Sequence, residues 1–137
     1  MKKDTMVEVA VVLLRIVTGF VFLQNGGLKL FGWFGGMPPG VELSTLLWVA
    51  GILEFFGGSA IILGLLTRPI AFVLAGEMAV AYYIGHASPQ GHFFAPLINQ
   101  GEPAVLLCFI FLFFAAYGAG KWSLDKILRD RGQTNSQ

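Results

Sequence analysis

The sequence predicts an all-α fold, a four-helix transmembrane bundle with its termini in the cytoplasm and two longer loops on the outer side. Three observations carry that expectation. The chain of 137 residues is 55% hydrophobic and only 12% charged, against roughly 45–50% apolar in soluble domains, and its mean hydropathy is +0.72. The apolar residues run together in four long stretches instead of alternating, which favours lipid as the solvent and argues against transmembrane β-strands. Breaks rich in Gly and Pro separate the stretches where helices would end and begin. At this length one domain is expected, covering 1–137.

The first span is read at 7–31, enough to cross a hydrocarbon core of ~30 Å, which takes ~20 helical residues. Met1, Lys2 and Lys3 look like the start of a signal peptide. Asp4, Glu8 and Arg15 interrupt it, however, and the apolar run reaches Phe31 without a small-x-small cleavage site. An uncleaved signal-anchor helix is therefore expected. The loop 32–44, GWFGGMPPGVELS, leads to a second span at 45–66. Thr67-Arg68-Pro69 makes a tight turn, and Pro69 suits the first turn of a third helix at 69–85. The loop 86–101, HASPQGHFFAPLINQG, is followed by Gly101-Glu102-Pro103, which opens a fourth span at 103–118. Glu102 stands where the helix dipole favours negative charge. Gly118-Ala119-Gly120 ends that span, and the tail 121–137 reads as a short amphipathic helix with a frayed end.

Four spans put both long loops on one side. The termini and the tight turn carry Lys2, Lys3, Arg68, Lys121, Lys126, Arg129 and Arg131, whereas the loop side has only Lys29. By the positive-inside rule the termini face the cytoplasm. Trp33 and Phe34 suit the outer aromatic belt, and Tyr117 and Trp122 the inner one.

Three charges fall inside the apolar stretches: Arg15, Glu54 and Glu77. At ~1.5 Å per residue, Arg15 and Glu77 lie ~12 Å and Glu54 ~18 Å from the cytoplasmic limits of their spans. Each would cost about 2.5–3.5 kcal/mol facing lipid. They are therefore expected to meet inside the bundle as a buried polar cluster, Arg15 pairing first with Glu77 and Glu54 close by. One arginine cannot neutralise two carboxylates, so one Glu is expected to keep or share a proton. Proton handling and a purely structural triad both fit that reading. Small residues share these faces: Gly19 and Gly26 with Arg15 and Lys29 in helix one, Gly51 and Gly58 with Glu54 in helix two. They let helix backbones approach closely in lipid.

A second polar group gathers at the outer mouth: Lys29, Gln24, Asn25, Glu42, His86, His92, Asn99 and Glu102. Lys29 with Glu102 is the expected charge pair there. His86 and His92 lack the spacing of a metal or haem site, so no metal is expected. Cys108 is a single cysteine in an apolar run, which reads as core filler. The net charge of +1 gives no reason to expect nucleic acid. No phosphate-binding loop, dinucleotide fingerprint or nucleophile triad is present.

Taken together, Arg15, Gly19, Gly26 and Lys29, the run GILEFFGGSAIILGLLTRP, Met78 and Ala81, NQGEPAVLL and GAGKWSLD make the chain resemble the DoxX family of small bacterial membrane proteins, from about Leu14 to Asp125. The resemblance implies a four-helix protein of the bacterial inner membrane, related to DoxD-like subunits linked with thiosulfate and quinone oxidation. It also implies a quinone as ligand and a redox-enzyme subunit as partner, in an oxidative-stress setting. Glu54, Arg68, Asn99 and Glu102 fall on its motif positions. Three function classes follow. One is a membrane component of a redox system with the Arg/Glu cluster handling a proton. Another is a scaffold or accessory subunit without chemistry of its own. The third is a proton-coupled transporter of a small solute, for which four helices would require a homo-oligomer.

Overall fold

The breaks in hydropathy become helix ends. The computed structural model describes residues 2–134, and every regular element in them is helical. Met1 and residues 135–137, where the frayed end of the tail was expected, lie outside the described residues. Four apolar helices follow one another: α1 (Lys3–Phe31), α2 (Thr45–Leu63), α3 (Thr67–Tyr82) and α4 (Glu102–Tyr117). A polar helix, α5 (Leu124–Thr134), closes the chain. α1, α2 and the full run Thr67–Gln90 are long and apolar enough to cross a membrane, and α4 is a shorter apolar helix of 16 residues.

Local chemistry sets the boundaries. α1 begins at Lys3, four residues before the expected limit, with Asp4 in its first turn and Lys29 in its last, both complementing the helix dipole. The Ser44 hydroxyl accepts from Leu47 N at 3.4 Å at the start of α2. α2 stops at Leu63 instead of residue 66, because Gly64 adopts the left-handed conformation (φ 68). Leu65 N then donates to Ala60 O, and Gly64 N to Ile61 O, closing the helix end. α3 outruns its expected end at residue 85. It continues through a π-helical turn, Tyr83–Ala87, and a final turn, Ser88–Gln90, until Gly91 (φ 71) breaks it. The wide turn accommodates Gly85 without ending the helix.

Packing follows the small residues. α1 and α2 form an antiparallel hairpin with the longest helix contact in the chain, and α3 and α4 form a second. A Cβ on Gly58 would stand 2.6 Å from Leu23 N and 2.7 Å from Gly19 O, so this crossing admits only glycine without a shift. Gly26 lies equally close to the Phe55 backbone. The two hairpins meet where α2 touches α3 and where Phe22 of α1 sets its ring edge-on to Phe111 of α4, centroids 4.7 Å apart. Phe22, Ile61, Leu74, Phe111 and Phe114 form the closed core. Val17, Phe20, Phe72, Leu106 and Phe109 are among the many large apolar side chains facing outward, the surface of a protein whose solvent is lipid.

Candidate functional site

The site begins with a lysine near the end of α1. Antiparallel packing of α1 on α2 brings Lys29 opposite Glu54, and its ammonium meets Glu54 Oε2 at 2.5 Å. Both side chains are enclosed, Lys29 to 15% and Glu54 to 6% of full exposure. This corrects the expectation that Lys29 pairs with Glu102 at the outer mouth. Glu102 is exposed, in the first turn of α4.

Glu77 comes to the same place from α3. Lys29, Glu54, Glu77 and His86 line one cavity of about 270 Å³ between α2 and α3, whose other walls include Leu46, Ala50, Met78 and Ile84. Both Glu77 carboxylate oxygens are buried, and neither has a hydrogen-bond partner among the described residues. The cavity is thus apolar over most of its wall, with one ion pair and one unpartnered carboxyl facing in.

Arg15 is not part of this cavity, and the expected Arg15–Glu77 pair is absent from the structure. The Arg15 guanidinium, buried at 2% exposure, reaches backbone carbonyls at the opposite end of α2. It donates to Ala119 O, to Trp122 O at 2.8 Å and to Ile62 O at 3.4 Å. The depth counted from Val7 assumes that α1 and α2 end level with each other; α1 instead projects past the end of α2, so Arg15 lies level with the last turn of α2 and the segment after α4. Two carbonyls of the link after α4 and one in the last turn of α2 take up the guanidinium here, where a carboxylate was expected. Gly64 completes the clamp, since a Cβ there would stand 2.9 Å from Arg15 Nη1. Asp125 adds a second tie on this side, accepting from Leu66 N at 2.7 Å and Thr67 N at 2.9 Å at the start of α3.

Of the remaining outer residues, Asn99 organises the second loop. It is fully buried. Its amide donates to Tyr82 OH at 3.0 Å and His92 O at 3.3 Å, and its Oδ1 accepts from Gly101 N at 2.9 Å. Tyr82 OH donates to Phe93 O at 2.6 Å, and His86 Nδ1 lies 3.0 Å from Asn99 O. His92 is exposed and contributes its carbonyl to this network. His86 therefore belongs to both the loop network and the cavity wall. Among the described residues no group of three or more His, Cys, Asp or Glu side chains could hold a metal ion.

The pairing that sequence reasoning missed, Lys29 with Glu54, had a visible signal. Both residues stand on the glycine stripes of their helices, and facing those stripes in antiparallel register brings the two close. The Arg15 contacts had none, because backbone carbonyls leave no side-chain pattern.

Comparison with known proteins agrees with a membrane protein built of apolar helices. The DoxX family model matches residues 10–87. The chain is 40% identical over 114 residues to a Haemophilus influenzae protein described as uncharacterized, covering 82% of this chain and 85% of the relative. It is 30% identical to inner membrane protein YqjF of Escherichia coli, over 90% of this chain and 95% of the relative. It is 28% identical to the uncharacterized membrane protein Rv3486 of Mycobacterium tuberculosis, over 89% and 83%. No solved structure matches it. With more than half of its length under the family model, and with relatives aligned over most of both chains, this chain belongs to the DoxX family and is a membrane protein.

Proposed function

We propose that the chain is a four-helix transmembrane bundle of the bacterial inner membrane, with both termini cytoplasmic, whose cavity between α2 and α3 binds the ring of a quinone on behalf of a redox-enzyme partner. The excess of Lys and Arg at the termini and the α2–α3 turn supports that orientation. One observation carries the binding site: Glu77 places two buried, unpartnered oxygens on the wall of a largely apolar cavity. A buried polar group without a partner costs roughly 1–3 kcal/mol, and a ligand with a hydrogen-bonding edge removes that penalty. At about 270 Å³ the cavity falls just under the ~300–1,000 Å³ of drug-sized sites, a volume for one small ring.

The residues fit such a ring. Leu46, Ala50, Met78 and Ile84 offer flat apolar contact, while Lys29 and Glu77 offer polar handles. A bound quinone supplies the capacity to take up two electrons and two protons. Lys29 donates a hydrogen bond toward a ring oxygen while held by Glu54, and Glu77 holds a proton within reach of the cavity. Electrons come from the redox partner. The cavity chemistry supports a ligand with a polar edge, and the family resemblance supports a quinone.

Equilibrium binding of a short-chain quinone to the purified protein tests this reading. Wild type binds, Glu77→Leu weakens binding roughly tenfold, and Ala81→Phe, at another wall residue of the cavity, fills it and abolishes binding. A wild-type protein that does not bind removes the quinone.

A further inference from the structure

The cavity between α2 and α3 is not the largest polar feature. On the side of the termini, a cavity of about 470 Å³ opens between the start of α3, the end of α4 and α5. Four cationic side chains line it, Arg68, Lys121, Lys126 and Arg129, against two carboxylates, Glu8 and Asp125. Both acids are already engaged by the fold. Glu8 accepts from Tyr117 OH at 2.9 Å and Lys121 N at 3.1 Å. Asp125 holds the two amides at the start of α3. Lys126 pairs with Asp130 at 2.6 Å, whereas Arg68, Lys121 and Arg129 make no ion pair among the described residues. Thr67, which also lines the cavity, is fully buried with its hydroxyl unpartnered. The site is a concave surface with three uncommitted cations.

Its surroundings identify the ligand. Leu124, Ile127 and Leu128 of α5 are exposed at i, i+3 and i+4 spacing, and Trp122 and Leu66 beside them are exposed as well. An apolar stripe and an exposed indole next to a ring of cations are the pattern of a helix lying in a membrane interface. Juxtamembrane cations in that position are attracted to anionic lipid. We infer that this cavity binds the phosphate of an anionic lipid headgroup, with Arg68, Lys121 and Arg129 around the phosphate and the apolar side of α5 against the acyl region. The site is separate from the α2–α3 cavity and stands without the quinone reading.

The test uses the full chain in mixed micelles of phosphatidylglycerol and phosphatidylcholine, with native mass spectrometry reading the lipid retained. Wild type retains phosphatidylglycerol in preference. Arg68→Gln and Arg129→Gln each lower that preference about fivefold, following the ~1 kcal/mol that a surface cation contributes against an anionic membrane. Arg68→Lys keeps most of it, which separates charge from folding. Lys2→Gln/Lys3→Gln removes two cations that do not line the cavity and leaves the preference intact. Equal retention of both lipids by wild type overturns the inference. So does an equal loss from the Lys2/Lys3 variant, which would mark diffuse attraction. Displacement of the lipid by millimolar inorganic phosphate would move the site to a soluble phosphate and overturn the lipid assignment.

Discussion

Lys29 Nζ and Glu54 Oε2 meet at 2.5 Å across the α1–α2 interface, both side chains largely enclosed. The pair lies at one end of the hairpin, and Arg15 with its carbonyls at the other. α1 is thus held by a charge at each end, to α2 through Lys29 and chiefly to the segment after α4 through Arg15, with the glycine crossing between them. The arrangement of each charge is set by the acceptors its neighbours offer: a carboxylate for Lys29, backbone carbonyls for Arg15.

Removing one member of the Lys29–Glu54 pair leaves a buried charge without compensation. Lys29→Met is expected to destabilise the protein by about 3–5 kcal/mol, while Lys29→Met with Glu54→Leu recovers most of that loss. Thermal unfolding of the two single variants and the double variant in detergent measures the coupling. If the effects simply add, the two residues are not paired.

Arg15 makes its contacts through a planar fork that reaches three carbonyls, a geometry that lysine cannot reproduce. Arg15→Lys is therefore expected to loosen the segment 118–125 nearly as much as Arg15→Ala. Trypsin cleavage at Lys121 reports this, and both variants should be cut faster than wild type. Quinone binding at the distant cavity should be unaffected, which distinguishes a clamp from a proton site.

Two glycines in helices make opposite predictions. Gly58→Ala drives a Cβ into the Leu23 and Gly19 backbone and should cost about 1–3 kcal/mol. Gly76→Ala meets nothing within 4 Å and should be neutral or stabilising by up to ~1 kcal/mol through helix propensity. Melting temperatures of the pair decide it. Equal shifts would contradict the close crossing of α1 and α2.

Asn99→Leu keeps the branched shape of the buried side chain but removes the partners of His92 O and Gly101 N and the donor to Tyr82 OH. It is expected to release the loop 91–101, seen as faster amide hydrogen exchange there, with the α1–α2 hairpin unchanged. Exchange at wild-type rates in the loop would show that Asn99 does not hold it.

The four apolar helices were legible because lipid as solvent demands long unbroken apolar runs, and the Gly and Pro breaks fall between them. Their ends were less legible. Gly64 stops α2 early through a left-handed turn, and Gly85 looks like a helix end but is absorbed in the π-helical turn of α3. Half of the site could be read, since Glu54 and Glu77 were singled out by the cost of placing carboxylates in hydrocarbon. Its cation was misassigned. Arg15 matched Glu77 in counted depth, but α1 projects past the end of α2, so Arg15 lies level with Ile62 and not with Glu77. Asn99 reads in the sequence as one polar loop residue among several and as a position of the family motif, with no sign of what it holds. Its burial depends on Tyr82, seventeen residues away, and on the fold of the loop around it.

The central proposal, a ring-binding cavity between α2 and α3, is tested most directly by photolabelling in native membranes. A photoreactive quinone analogue is applied, and the labelled peptides are identified by mass spectrometry. Labelling is expected within 46–54 and 77–86, competed by unlabelled quinone and lost in Ala81→Phe. Competable labelling confined to other helices, or none at all, would contradict it.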